Sequence, residues 1–259
     1  MHVHLPKAFH GWRELAKEVG IIVLGVLIAL SFEQLVQEWR WREQVRGARR
    51  SLTTEVENSA LFSIERLAVQ PCLRGRIAYL EAKLNSGNPN WAADPMMLAR
   101  PTAPGFELTT PLPYDVPHRP LVSDIWDTAK STGIIDHMDP KEAHAFEFMY
   151  TNVDRLRASQ DEETATTPEL GFLSFNQSID PQLRAQSLVA LARLDLINSH
   201  AAGYSRQLLS SVRAMHLVFG PELGRGLSHI RGGEKAHPRR RPSALRPVRR
   251  RCAADSALI

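Results

Sequence analysis

The sequence predicts an all-α protein in which an N-terminal transmembrane helix is followed by an antiparallel helical bundle with a long proline-rich loop. Residues 19–32 are continuously apolar and contain no charge and no proline. Apolar residues recur every three or four positions through most of residues 37–220, as expected for amphipathic helices. Eight prolines interrupt residues 87–120 and exclude regular helix and most strand there.

We interpret the apolar segment as the core of a membrane anchor. Its 14 residues span about 21 Å as a helix, which is short of the roughly 30 Å hydrocarbon core of a bilayer. Extension to residues 15–36 closes that gap and leaves charged side chains near the ends, where they can reach the interface. Trp12, Trp39 and Trp41 then fall at the two membrane boundaries, where indole rings are favoured. We therefore assign residues 1–18 to an N-terminal segment and residues 19–36 to the anchor.

Two other interpretations of the segment stay open. Lys7, Arg13 and Lys17 resemble the basic region of a cleaved signal peptide, and residues 29–31 form a small-x-small cleavage site. A buried core helix is the second alternative, because a run of 14 apolar residues permits it. The flanking tryptophans and the helix-favouring sequence after Ser31 favour the anchor.

Small residues on one face of the anchor indicate a way for two copies to associate. Gly25 and Ala29 lie four residues apart, the spacing that lets two helix backbones approach closely in a membrane. Since small residues are common in spanning helices, homodimerisation through this face is an expectation that needs a direct test.

The net charge of +4 is concentrated at the C-terminus. Nine Lys/Arg residues but only two acidic residues lie from Arg231 onward, which leaves the rest of the chain at −3. We assign residues 221–259 to a basic, disordered tail. Three interpretations of it compete: a nucleic-acid or lipid-binding arm that uses Arg239 to Arg251, a solvated tail, or an out-of-frame translation of GC-rich DNA. Nucleic acid is not an expected partner apart from this tail.

The helical domain, residues 37–220, is predicted to start with a long helix that rises from the anchor and ends at Pro71. Five arginines crowd its first turns, where they would either meet anionic headgroups or form a solvated face paired with glutamates. Residues 72–84 then form a second helix, so a helical hairpin is expected. The five arginines are Arg40, Arg42, Arg46, Arg49 and Arg50.

Three further helix starts are predicted after the loop. Ser123 is a candidate N-cap for residues 124–132, with Gly133 as the C-terminal stop. Asp139 and Asp180 each combine a capping carboxylate with a proline at the first helical position. The last helix has an apolar face that runs from Leu183 to residue 219. In the loop itself, Trp91, Phe106 and Tyr114 predict packing along the bundle.

The sequence indicates no catalytic, cofactor-binding or metal-ligating residue set. Its densest polar cluster contains Asp136, His137 and His144. A metal site would need these side chains to converge, whereas a helix-capping turn at Asp139 and Glu142 explains the acidic residues without a metal. None of the common hydrolase, metalloprotease, phosphate-loop or dinucleotide-binding motifs is found.

Several segments resemble a family of bacterial, mainly proteobacterial, single-pass membrane-anchored proteins of unknown function. Residues 18–30, EVGIIVLGVLIAL, with Glu33 and Gln34 are similar to the anchor of that family. Further similar positions are Glu65, Arg66, Leu67, Ala68, Pro71, Cys72, Leu73, Trp126, Ala129, Gly133, His137, Met138 and Pro140. The resemblance covers much of residues 12–219 and implies an anchored helical protein, without implying an activity or catalytic residues.

We therefore expect a single-pass protein of the bacterial inner membrane with a non-enzymatic binding or scaffold role. The lipid bilayer and an unknown protein are the expected partners. Three basic residues precede the anchor and five follow it closely, which favours a cytoplasmic domain but leaves the orientation open. The alternatives are a membrane-tethered enzyme with a site under the proline-rich loop, or a secreted helical binding protein if the N-terminal segment is cleaved.

Overall fold

The computed structural model describes residues 11–94, 96 and 112–215, and the fold of this part is all-α, as predicted. Its α-helices are α1 (Trp12–Asn85), α2 (Asp124–Ser131), α3 (Pro140–Thr166) and α4 (Pro181–Ala214). Two 3-10 segments, Ile134–His137 and Thr167–Ser174, flank α3. Two short strands, β1 (Asn90–Trp91) and β2 (Gln177–Ser178), pair antiparallel. The predicted tail, residues 221–259, and residues 97–111 of the loop lie outside the described residues.

Helix α1 runs for 74 residues and passes through Pro71, so the predicted helical hairpin is wrong. A proline inside a helix loses one backbone hydrogen bond and costs about 3 kcal/mol. Pro71 itself is exposed, but Leu73, Ile77, Leu80 and Leu84 beyond it are almost completely buried. Because each buried leucine or isoleucine contributes about 1.5–3 kcal/mol, their packing outweighs the cost of the proline.

The three long helices form the bundle, with α4 packed extensively against both α1 and α3. At the start of α4, Arg184 donates hydrogen bonds to the carbonyls of Leu84 (2.6 Å) and Asn88 (3.0 Å), at the far end of α1. At the start of α3, Glu142 forms an ion pair with Arg49, near the middle of α1. Helices α1 and α3 therefore run away from the N-terminal segment, and α4 returns towards it.

The predicted starts of α3 and α4 are confirmed by their caps. The Asp139 carboxylate accepts hydrogen bonds from the backbone N–H groups of Lys141 (3.0 Å) and Glu142 (3.2 Å). The Asp180 carboxylate accepts one from the N–H of Leu183 at 2.7 Å. Ser123 precedes α2 as predicted, but its side chain makes no cap hydrogen bond.

After α2, Gly133 has φ +74°, the left-handed conformation expected of a glycine that stops a helix. Beyond Ala214, the predicted continuation of the last helix over residues 216–219 lies outside the described residues.

The described part of the proline-rich loop packs on the bundle. Trp91 is 5% exposed and its indole N–H donates to the carbonyl of Leu173 at 2.9 Å, while Tyr114 is fully buried. The packing predicted for these two aromatic residues is confirmed, and Phe106 lies outside the described residues. The β1–β2 pairing, with Asn90 opposite Ser178, was not predicted from the sequence.

Candidate functional site

The apolar segment of α1 projects from the bundle without burying its side chains. The helix contains a window of 18 residues with a mean hydropathy of 2.3, and none of that window is buried. Eleven large apolar side chains in it are between 49% and 72% exposed. They are Val19, Ile21, Ile22, Val23, Leu24, Val26, Leu27, Ile28, Leu30, Phe32 and Leu35. Within the described residues this helix is long and apolar enough to cross a membrane.

Packing of α1 onto the bundle begins shortly after the apolar segment. The Trp41 ring stacks on the His137 ring with 3.8 Å between their centroids, and Val45 is the first buried apolar residue. Trp41 therefore takes part in the bundle contact, because its ring is partly buried and stacks on His137. Trp12 and Trp39 stay 82% and 63% exposed, as a position at a membrane boundary requires.

The arginines that follow the apolar segment are largely paired with carboxylates. Arg42 bonds Glu38 at 2.5 Å, and Arg46 bonds Glu43 at 3.0 Å. Arg49 pairs with Glu142 on α3. In the described part of the chain only Arg40 and Arg50 of the five lack an ion pair, which favours the solvated, paired face over a surface dedicated to anionic headgroups.

An open pocket of about 630 Å³ lies where the start of α3 meets the end of α4. Its polar wall combines the Arg49–Glu142 ion pair with Lys141 and His144. Its apolar wall is formed by Ala145, Phe148, Ala214 and Met215. Because the ion pair neutralises two of the charges, the pocket presents a mixed polar and apolar surface.

The polar cluster singled out in the sequence does not converge. Asp136 and His137 lie in the 3-10 segment before α3, and the His137 ring faces Trp41. The His144 side chain is 83% exposed and lies 3.5 Å from Glu147. His144 lines the open pocket, whereas Asp136 and His137 do not. In the part of the chain that the structure describes, no group of three or more His, Cys, Asp or Glu residues is placed to hold a metal ion.

A buried charged pair that sequence reasoning missed lies at mid-height in the bundle. Arg66 on α1 and Glu163 on α3 are each 1% exposed and form an ion pair. The same guanidinium nitrogen donates to the side-chain carbonyl of Asn198 on α4 at 3.2 Å. The remaining donors, Arg66 Nε and Nη1 and Asn198 Nδ2, make no hydrogen bond with another described residue. The pair thus joins all three long helices.

Burial controls the protonation of these interior groups. It raises the pKa of Glu163, while the Arg66 charge opposes that rise. Burial also raises the pKa of Tyr114 and that of Tyr150, which donates to the Glu55 carboxylate at 2.6 Å. Both tyrosines therefore stay protonated at neutral pH. Arg66 and Glu163 are sealed from solvent, and their contacts connect α1 with α3 and α4.

The sequence does contain a signal for the buried Arg66–Glu163 pair. Ser59, Ser63 and Arg66 are buried and continue, at steps of three or four, the same face of α1 that buries Leu52 and Val56. An arginine on the apolar face of a long helix indicates a buried partner, since an unpaired charge there is too costly. The identity of that partner, 97 residues away, depends on the fold.

No family model, curated protein or solved structure matches this chain. The resemblance to the proteobacterial membrane-anchored family therefore stays a prediction.

Proposed function

We propose that this chain is a single-pass protein of the bacterial inner membrane whose helical domain binds or scaffolds a partner beside the bilayer. The observation that supports this proposal is the continuity of α1. One helix supplies both the exposed apolar segment and a wall of the bundle. The nine residues between Leu35 and Val45 continue the same helix, which places these two residues about 15 Å apart along its axis, so that no flexible linker separates the two parts.

The exposed apolar segment supports the bilayer as the first partner. Soluble proteins rarely expose contiguous apolar patches larger than a few hundred Å². Burying each of the eleven large side chains contributes about 1.5–3 kcal/mol, which in sum exceeds the stability of a typical domain. Insertion into a membrane removes these apolar side chains from water. Inside the bilayer, the α-helix satisfies its own backbone hydrogen-bonding groups.

Fractionation of cells that express the full chain with a reporter after residue 219 tests the anchor. We expect an intact protein that resists carbonate extraction, and the reporter side identifies the orientation of the domain. A shortened soluble product that begins near Phe32 would instead establish the signal peptide and a secreted helical binding protein.

A matched pair of variants sharpens this test. Leu24→Arg places a charge in the middle of the apolar segment. On the scale of membrane-insertion free energies this costs about 2.5–3.5 kcal/mol, whereas each large apolar side chain contributes only about 0.3–0.6 kcal/mol, so the variant should release a large share of the protein. Phe175→Arg changes a side chain that is 60% exposed outside the segment and should leave retention unchanged. Equal retention of both variants would contradict the anchor.

We further propose that two anchors associate through Gly25 and Ala29. An added Cβ at Gly25 meets nothing within 4 Å in one chain, so Gly25→Ile leaves the single helix intact. It should nevertheless weaken association of two anchors, because close approach of the backbones needs small residues. Gly20→Ile, equally open but on another side of the helix, is the control. Equal association of the two variants in a membrane reporter assay would refute this contact.

A further inference from the structure

Arg40 is the first arginine after the apolar segment of α1, and its charge is left uncompensated. Its side chain is exposed and forms no ion pair with another described residue. The next two arginines, Arg42 and Arg46, each pair with a glutamate about one helical turn away. The five arginines therefore do not form one basic surface, but Arg40 offers a full positive charge to its surroundings.

The proposed anchor places Arg40 at the level of the phospholipid headgroups. The anchor ends at residue 36, and Arg40 lies four residues, or about 6 Å, further along the helix. The headgroup layer adds about 5–7.5 Å to each side of the hydrocarbon core. Side chains of an α-helix lean towards its N-terminus, which in α1 is towards the bilayer. The Arg40 guanidinium is thus directed into the layer that contains the lipid phosphates.

Arg40 also lies on a side of α1 that the bundle leaves free. Successive residues of a helix are turned by about 100° around its axis. Trp41 is directed at the bundle, where it stacks on His137, so Arg40 is turned away from that contact. Trp39 is 63% exposed and suits the same interfacial layer. The described part of the bundle therefore leaves Arg40 open to lipid.

We propose that Arg40 binds the phosphate group of an anionic phospholipid at the bilayer surface. This inference rests on the proposed anchor, which sets the level of Arg40. The planar guanidinium matches a phosphate with two parallel hydrogen bonds. A zwitterionic lipid already carries a cation beside its phosphate, so an anionic lipid suits the uncompensated charge better. Glu33, a carboxylate on the same side of α1, lies about 10.5 Å earlier along the axis, which leaves the phosphate position free.

This lipid contact is compatible with the proposed association of two anchors. Gly25 and Ala29 lie on the same side of α1 as Arg40, and their midpoint is about 20 Å from it along the axis. Helices that pack through such small residues commonly cross at about 40°, which separates the two axes by about 14 Å or more at the level of Arg40. That separation leaves room for lipid headgroups between the two guanidinium groups.

Arg50 provides a matched control within the same helix. It is also exposed and without an ion pair among the described residues, so its charge is equally available. It lies about 21 Å beyond residue 36 along the axis, well outside the headgroup layer. The gap to that layer exceeds the Debye length of about 8 Å at physiological ionic strength. A contact that depends on height above the bilayer should therefore involve Arg40 and not Arg50.

Site-specific photo-crosslinking to lipid in vesicles tests this inference. The full-length protein carries a photoreactive amino acid at position 37, which is exposed and lies about one turn before Arg40. The vesicles contain equal amounts of phosphatidylglycerol and phosphatidylcholine, and mass spectrometry of the adducts gives the ratio of the two lipids at this position. Arg40→Gln should lower that ratio about fivefold, the factor that corresponds to about 1 kcal/mol for one arginine near an anionic surface. Arg50→Gln should leave the ratio unchanged.

Three outcomes would overturn the proposal. One is an unchanged lipid ratio in Arg40→Gln, and another is an equal decrease in Arg50→Gln. The third is a loss of the preference when inorganic phosphate, but not sodium chloride of equal ionic strength, is added, which would assign Arg40 to a soluble anion. Carbonate extraction of the same vesicles reports retention of the chain separately. A chain that is not retained would refute the anchor, and with it the level assigned to Arg40.

Discussion

Removal of the Glu163 carboxylate is the most informative single perturbation of the bundle. Glu163→Ala leaves Arg66 as a positive charge at 1% exposure, with the Asn198 carbonyl oxygen as its remaining hydrogen-bond acceptor. Two unit charges about 4 Å apart interact with about 4 kcal/mol at an effective dielectric constant near 20. Loss of one partner of a buried ion pair accordingly costs about 3–5 kcal/mol. We expect a loss of that size in the free energy of unfolding.

Replacement of both partners should behave differently. Burial raises the pKa of Glu163 in spite of the Arg66 charge, so desolvation outweighs the attraction between the pair. The pair therefore contributes little net stability relative to apolar side chains of similar volume. The double variant Arg66→Met with Glu163→Leu should recover at least half of the loss caused by Glu163→Ala.

Urea unfolding of the full-length protein in mild detergent, followed by far-UV circular dichroism, measures both effects. Glu162→Ala is the matched control, because Glu162 pairs with Arg193 on the surface and both side chains are about half exposed. That pair should contribute less than about 1 kcal/mol. A loss below about 1 kcal/mol for Glu163→Ala, or a double variant no more stable than the single one, would refute the reasoning.

Three further outcomes follow from the structure. Because the pKa of Glu163 is raised in the folded state, stability should fall as pH rises from the usual glutamate value of 4.5 through the raised pKa, and Glu163→Gln should remove this slope in unfolding curves recorded across pH. Pro71→Ala should raise the urea midpoint, by up to about 3 kcal/mol in free energy, since it restores a backbone hydrogen bond at an exposed position; an unchanged midpoint would contradict this. Asp139→Ala should cost about 1 kcal/mol of stability, while Asp139→Asn, which keeps a good cap, should cost much less in the same assay.

Local signals in the sequence predicted the helix starts well. The pairs Asp139-Pro140 and Asp180-Pro181 each place a capping carboxylate and a fixed φ within two residues, so no distant contact is needed to define the start. The continuous apolar run in α1 was also predictable from the sequence, because hydropathy and length alone make it a candidate membrane span. The helix starts and the apolar run are both determined by residues that are close together in the sequence.

Features that depend on distant packing were missed or wrongly predicted. Pro71 was expected to end a helix, but contacts of α1 with α4 hold the helix together on both sides of it. The β1–β2 pairing joins segments almost 90 residues apart and has no local signal. Asp136, His137 and His144 are close in sequence, yet the 3-10 turn and α3 direct His137 towards Trp41 and leave His144 in solvent.

By itself the sequence determined the all-α class, the apolar helix and its flanking tryptophans, and the capped starts of α3 and α4, because each follows from periodicity, hydropathy or a short capping motif. Tertiary structure decided that α1 is one helix through Pro71, that Arg66 pairs with Glu163, and that Arg40 keeps no ion-pair partner in the described part of the chain. The physical reason is that burial is a property of the whole bundle. A side chain acquires its partner, or stays without one, only when helices distant in sequence are packed together.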